Sequence, residues 1–125
     1  MKTSFAAAPF TALRVNVFVH DTAKELHRAF QKHSDQRDES VTAFVGHGAM
    51  VLDGVVGDIH FSREDLSTDT LVHEAQHAAL VLARYLRLDL EDNTGEELFA
   101  TAMASITCSL LALRRRLGAS KQPAE

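Results

Sequence analysis

Residues 73–77 read His-Glu-Ala-Gln-His, an H-E-x-x-H pattern. On a helix, His73 and His77 would lie about 40° apart around the axis and about 6 Å apart along it. Both imidazoles could then bind one metal ion, and Glu74 beside them could take a proton from a water molecule that the metal activates. These residue types at this spacing predict a zinc-dependent hydrolase.

The segment from Leu71 to Leu88 is predicted to be the helix that positions this pattern. It contains no Gly or Pro, and its apolar residues recur at helical spacing. Ser67, Thr68 and Asp69 precede it and are candidate N-cap residues. The simpler alternative is that the two histidines lie on a helix surface and bind nothing.

A catalytic zinc site usually has three protein ligands, so a third is needed downstream. Asp89 to Asp92 fall in a predicted acidic turn, whereas Glu96 and Glu97 open a second, largely apolar helix that must pack on the first. Glu97 also fits a capping box with Thr94, so it could instead have a purely structural role. The upstream pattern favours Glu97 as the ligand, with Glu96 as the alternative.

The remaining pattern predicts an α+β fold in which a small, mostly antiparallel sheet packs against the H-E-x-x-H helix and a following buried helix. We expect a single domain over residues 1–125, with flexible ends at 1–11 and 118–125. The predicted elements are a strand over Leu13–Val19, a helix from Asp21 to His33, a strand over Val41–Val45, a hairpin turn at Asp53-Gly54, a strand over Val56–Phe61 and a last helix over Gly95–Leu117.

Composition limits the partners. The chain has 125 residues, 46% of them hydrophobic and 24% charged, and a net charge of −4. This balance gives no argument for binding nucleic acid or an anionic membrane. The uncharged run from Leu98 to Leu113 is shorter than a membrane span and is predicted to be a buried helix that encloses Cys108 as a free thiol. With no signal-peptide pattern near Met1, we expect a cytoplasmic protein.

The stretch from Val72 to Leu80, followed by Glu97-Leu-Phe-Ala100, resembles the gluzincin class of zinc metallopeptidases. The resemblance is strongest to short phage- and prophage-encoded metallopeptidase-like proteins, which are minimal zincin domains, and it covers roughly Val55 to Leu113. It implies that Zn²⁺ is held by His73, His77 and Glu97 and that Glu74 is the catalytic carboxylate.

A peptide or protein is the substrate that this resemblance implies, and the strand over Val56–Phe61 could offer its edge to an extended peptide. Larger gluzincins have a second subdomain with a Tyr or His that stabilises the tetrahedral intermediate. Tyr85 is two turns past His77 and is expected to pack, so His60 is the better candidate for that role. The rival interpretation is a non-catalytic metal-binding or protein-interaction module on a zincin scaffold.

Overall fold

The computed structural model of the protein describes residues 1–34, 43–46 and 54–121. In chain order, the elements are β1 (Lys2–Ala7), β2 (Phe10–His20), α1 (Ala23–Ser34), β3 (Ala43–Gly46), β4 (Val55–Ser62), α2 (Thr68–Leu86) and α3 (Asn93–Lys121). Four strands and three helices pack on one another in the described part of the chain, which confirms the predicted α+β class.

The four strands form one mixed sheet in the order β1-β2-β4-β3. β1 and β2 pair antiparallel, as do β3 and β4, but the central pair, β2 and β4, is parallel. A parallel pair requires a crossover, and the chain between Asp21 and Gly54, which contains α1, provides it. Two of the three strand pairs are therefore antiparallel, in agreement with the predicted mostly antiparallel sheet, and the parallel central pair makes the sheet mixed.

The first residues of the chain form β1, a strand at one end of the described sheet, where the sequence predicted a flexible segment over residues 1–11. Lys2 to Ala6 pair in register with Phe18 to Arg14 of β2, and the Met1 amino group donates to the Val19 carbonyl at 3.0 Å. Ala7 is fully buried in the core. Its partners in β2 lie from three residues (Ala7 with Phe10) to sixteen residues (Lys2 with Phe18) further along the chain, so β1 and β2 form a hairpin across the turn at Ala8-Pro9.

One face of the sheet packs on α2 and α3. Val15, Val17 and Val19 of β2 alternate toward this face, together with Ile59 and Phe61 of β4. The buried residues of the two helices complete the core; they are Leu71, Ala75, Ala78, Ala79 and Leu82 of α2, and Ala102, Ile106, Leu110, Leu113 and Leu117 of α3. The opposite face of the sheet carries Phe18, His60 and Phe44, and it is partly covered by α1 through Phe30.

Helix α2 begins at Thr68, three residues before the predicted start at Leu71, and Ser67, one of the three predicted cap candidates, is its N-cap and accepts a hydrogen bond from the Thr70 amide. It ends at Leu86, and Arg87 terminates it in the left-handed conformation (φ 55°) with its amide bonded to the Ala83 and Arg84 carbonyls. At the other end, the Arg114 guanidinium donates to the Leu66 carbonyl and the Thr68 hydroxyl, which fixes α3 against the start of α2.

Helix α3 is only half covered, so the prediction that this apolar helix is fully buried is wrong. Its core stripe faces α2 and β1, while Ala100, Ala104, Cys108 and Ala112 are exposed on the opposite side. Of the described helices, α3 alone is long and apolar enough to cross a membrane by length and composition, although a core helix can pass the same test. The absence of a membrane partner and the cytoplasmic location stay predictions.

Other sequence predictions fall partly on residues that are not described. The predicted strand over Val41–Val45 corresponds to β3 from Ala43 onward. Gly54 has a positive φ of 76°, as a turn residue would, but the first arm of the predicted hairpin lies outside the described residues. The predicted flexible tail is helical as far as Lys121, and residues 122–125 are likewise outside the description.

Candidate metal and catalytic site

His73 and His77 leave the same face of α2, as their spacing of four residues requires. Their Nε2 atoms lie 3.1 Å apart, and the two rings are inclined at 72° with centroids 4.7 Å apart. Two nitrogens bound to one tetrahedral zinc ion at 2.0–2.1 Å would be about 3.4 Å apart. The imidazole pair is therefore close to the geometry of two zinc ligands, and a small rotation of one ring would complete it.

Glu74 lies on the adjacent side of α2, between the histidine face and the core. It is only 6% exposed, and its Oε1 atom is 4.0 Å from Nε2 of His73. The other oxygen, Oε2, is buried and has no hydrogen-bond partner among the described residues. Burial raises the pKa of the Glu74 carboxyl, and the nearby His73 opposes this only in part. A carboxylate with an unpartnered oxygen and a raised pKa is suited to holding or accepting a proton.

These three side chains open onto a cleft of about 350 Å³ between α2 and β3. One wall is α2, and the other is formed by Ala43, Phe44 and Val45 of β3. β3 is the last strand of the sheet in the described part of the chain, so its outer edge faces away from β4. An extended segment could lie in the cleft and add to the sheet along this edge.

The prediction that β4 offers an edge is wrong. Val56 to Phe61 belong to β4, which is hydrogen-bonded to β2 on one side and to β3 on the other. The sequence shows which segments are strands, but their order across the sheet depends on pairing between distant segments. The strand that lines the cleft is β3, and its alternating burial alone could not identify it as an edge.

The predicted third ligand is not brought to the histidines. Glu97 and Glu96 are both exposed in the first turns of α3. Among the described residues, no three His, Cys, Asp or Glu side chains are grouped so that they could hold a metal ion. Helix α3 begins at Asn93, one residue before Thr94. Thr94 was predicted to be the N-cap, but it lies inside the first turn of the helix. Ligation by Glu97 stays a prediction.

His60 cannot serve the cleft, because its side chain is on the other face of the sheet. Its ring is stacked between Phe18 and Phe44, at centroid distances of 4.6 and 4.4 Å. Its Nδ1 atom lies 2.9 Å from Nε2 of His20. Strand alternation gives the reason: Ile59 and Phe61 face α2, so His60 between them must face α1. Tyr85, which was predicted to pack, is 50% exposed, so about half of its side chain is covered.

Sequence reasoning also missed two contributors to the cleft. Val81 and Arg84 line it beyond His77, at spacings of four and seven residues, which keep them on the histidine face. The same helical periodicity that revealed the histidine pair could have identified both residues. Comparison of the chain with protein families, with curated proteins and with solved structures finds no match.

Proposed function

We propose that this chain is a zinc-dependent peptidase domain of the gluzincin type, related to the short phage-encoded proteins that its sequence resembles. His73, His77 and Glu97 would hold the metal, and Glu74 would be the general base. The observation that carries the proposal is the buried Glu74 carboxylate, whose Oε2 has no described partner, beside two imidazole nitrogens 3.1 Å apart. Two converging neutral donors and an adjacent carboxylate are what metal-assisted hydrolysis needs.

The donor set fits zinc in part. Imidazole nitrogen is a common zinc ligand, and a helix holds His73 and His77 at the required spacing without distortion. An exposed histidine has no need of a partner, since water can bind its nitrogens; the side chain of His73 is 67% exposed, and yet its Nε2 points at His77. The Glu97 carboxylate must still approach the pair to complete the set.

When bound, zinc would polarise the substrate carbonyl and lower the pKa of a water molecule. Glu74 would accept a proton from that water at its free oxygen and deliver it to the leaving amine. Burial suits Glu74 to both steps, because it raises the pKa of the carboxyl toward the neutral pH at which a general base works best. β3 would hold the substrate backbone in an extended conformation, by hydrogen bonds that do not depend on side chains.

The proposal is tested by measuring zinc and turnover in parallel. Purified protein should contain about one zinc ion per chain and should cleave members of a mixed peptide library. Glu74→Gln keeps the size of the side chain but removes the base. This variant should therefore keep its zinc, and its turnover should fall roughly 10²–10⁴-fold.

Each outcome separates one part of the proposal. A protein that neither contains zinc nor takes it up at micromolar concentration would overturn the whole proposal. A protein with stoichiometric zinc and no cleavage of any peptide would instead be a non-catalytic metal-binding module. If Glu74→Gln cleaves as fast as the unchanged protein, then the assignment of Glu74 as the base is wrong.

A further inference from the structure

Arg84 is the only Lys or Arg among the described residues that line the cleft. It follows His77 by seven residues, which is two helical turns, so the two side chains leave α2 within about 20° of one another. Their Cα atoms are separated by about 10 Å along the axis. Helical side chains lean toward the N-terminus, and that direction carries the Arg84 guanidinium toward His77.

The guanidinium of Arg84 has no hydrogen bond or ion pair with any residue in the described part of the chain. A cation in the last turn of α2 is favoured by the helix dipole, which accounts for the presence of a basic residue there. The dipole does not require that the residue face the cleft. A free guanidinium at the end of a polar cleft is a ready donor for a planar anion, and a carboxylate accepts two parallel hydrogen bonds from it.

We propose that Arg84 binds a carboxylate of the peptide substrate. An extended peptide advances about 3.3 Å per residue, so the 10 Å between His77 and Arg84 corresponds to about three residues. Because the arginine side chain reaches back toward His77, the carboxylate would lie one to two residues from the bond that is cleaved. The position relative to that bond rests on the proposed function, whereas recognition of a carboxylate in this cleft does not.

Two sources could supply the carboxylate: an Asp or Glu side chain, or the C-terminus of the peptide. Three fluorescein-labelled, alanine-based peptides of equal length distinguish them. The first has an internal Glu and an amidated C-terminus, the second has Gln in that position and an amidated C-terminus, and the third has the same Gln and a free C-terminus. Binding is measured by fluorescence anisotropy in EDTA, so that the result does not depend on metal or on turnover.

We expect one of the two carboxylate peptides to bind at least about tenfold more tightly than the uncharged one, since a charge-assisted bidentate contact is worth that much. Arg84→Gln should abolish the preference, and Arg84→Lys should restore only part of it. Arg87→Gln is the matched control. It removes the same charge three residues away, at the C-cap outside the cleft, and should keep the preference.

Equal binding of all three peptides up to millimolar concentration, including no binding of any, would overturn the proposal. Retention of the preference in Arg84→Gln would overturn it as well. Arg84 is exposed, and circular dichroism of the variant would confirm that its fold is kept. If the protein prefers the carboxylate peptide but never takes up zinc, then the Arg84 site is supported and the proposed peptidase function is wrong. If the protein binds zinc and cleaves peptides but has no carboxylate preference, then the peptidase function is supported and the Arg84 site is wrong.

Discussion

The Nε2 atom of His77 lies 3.1 Å from the Nε2 atom of His73, on a helix face that is open to solvent. In the absence of a metal, one imidazole must donate a proton to the other for this contact to be favourable. A metal ion would replace that proton and use both lone pairs. The same two nitrogens can therefore either form a hydrogen bond with each other or bind one metal ion together. The zinc content of the purified protein distinguishes these two states directly.

Removal of either histidine should remove zinc. We expect His73→Ala and His77→Ala to lower bound zinc from about one ion per chain to less than about a tenth, because a site with one imidazole and one carboxylate holds zinc poorly. Gln76→Ala is the control, since Gln76 is exposed on the same helix and does not line the cleft. Zinc is measured by mass spectrometry of the purified proteins. Full zinc content in both histidine variants would place the metal elsewhere.

The two candidates for the third ligand can be separated in the same way. Glu97→Ala should weaken zinc affinity by more than about tenfold, and Glu96→Ala by much less. Affinity is read from competition with a chelating dye. Thermal unfolding in EDTA reports any structural role of the same residue in the first turn of α3. Reversal of the two effects would assign the ligand to Glu96, and loss of stability alone would make Glu97 a structural residue.

Glu74→Gln should stabilise the metal-free protein at neutral pH. Burial raises the pKa of the Glu74 carboxyl, so the folded protein binds this proton more tightly than the unfolded chain does. The free energy of unfolding therefore falls as pH rises from the ordinary glutamate value through the raised one. We expect a gain of about 1 kcal/mol at about pH 7 that vanishes near pH 4.

Urea unfolding in EDTA at a series of pH values measures this difference. The comparison does not require a substrate, so it tests the burial of Glu74 separately from its catalytic role. A gain that is equal at every pH would show that the charge of Glu74 is not involved. A variant less stable than the unchanged protein at neutral pH would mean that the carboxylate is favourably bonded in solution.

The second histidine pair should make the fold sensitive to acid. Nε2 of His20 lies 2.9 Å from Nδ1 of His60, within hydrogen-bond distance, and burial lowers the pKa of His20, with Glu25 and Asp21 opposing the shift in part and the Met1 amino group adding to it. A lowered histidine pKa means that the unfolded chain takes up the proton first, so stability present above about pH 6.5 is lost as pH falls from there through the lowered pKa of the folded protein. His20→Phe keeps an aromatic ring and should flatten this dependence between about pH 7 and pH 5, as measured by urea unfolding. An unchanged slope would assign the sensitivity to other groups.

Gly95 is required by the turn between α2 and α3. A Cβ atom at this position would collide with the carbonyl oxygen of Asp89. We expect Gly95→Ala to destabilise the protein by roughly 1–3 kcal/mol, as overpacking does. Gly118→Ala is the matched control, because a Cβ there meets nothing within 4 Å and alanine is the better helix former. Equal stability of the two variants, by thermal unfolding, would show that the turn can open.

Where interactions are local, the sequence determined the structure well. The histidines at positions 73 and 77, the helix that carries them and its Ser67 cap depend on residues three or four positions apart, and all were predicted. The alternating valines of β2 were predicted for the same reason, since the period of a strand is two residues. Helical spacing alone was enough to bring two imidazole nitrogens together beside Glu74.

Tertiary structure decided what depends on residues far apart in the chain. β4 is central because it pairs with β2, which precedes it by a crossover, as well as with β3. His60 faces α1 rather than the cleft, and Cys108 is exposed on the side of α3 opposite its contacts with α2 and β1. Such placements follow from hydrogen bonding and burial between distant segments. No periodic pattern in the sequence indicates which distant segments will come together. A local pattern can therefore name the chemical groups of a site, but only packing decides which of them share a cleft.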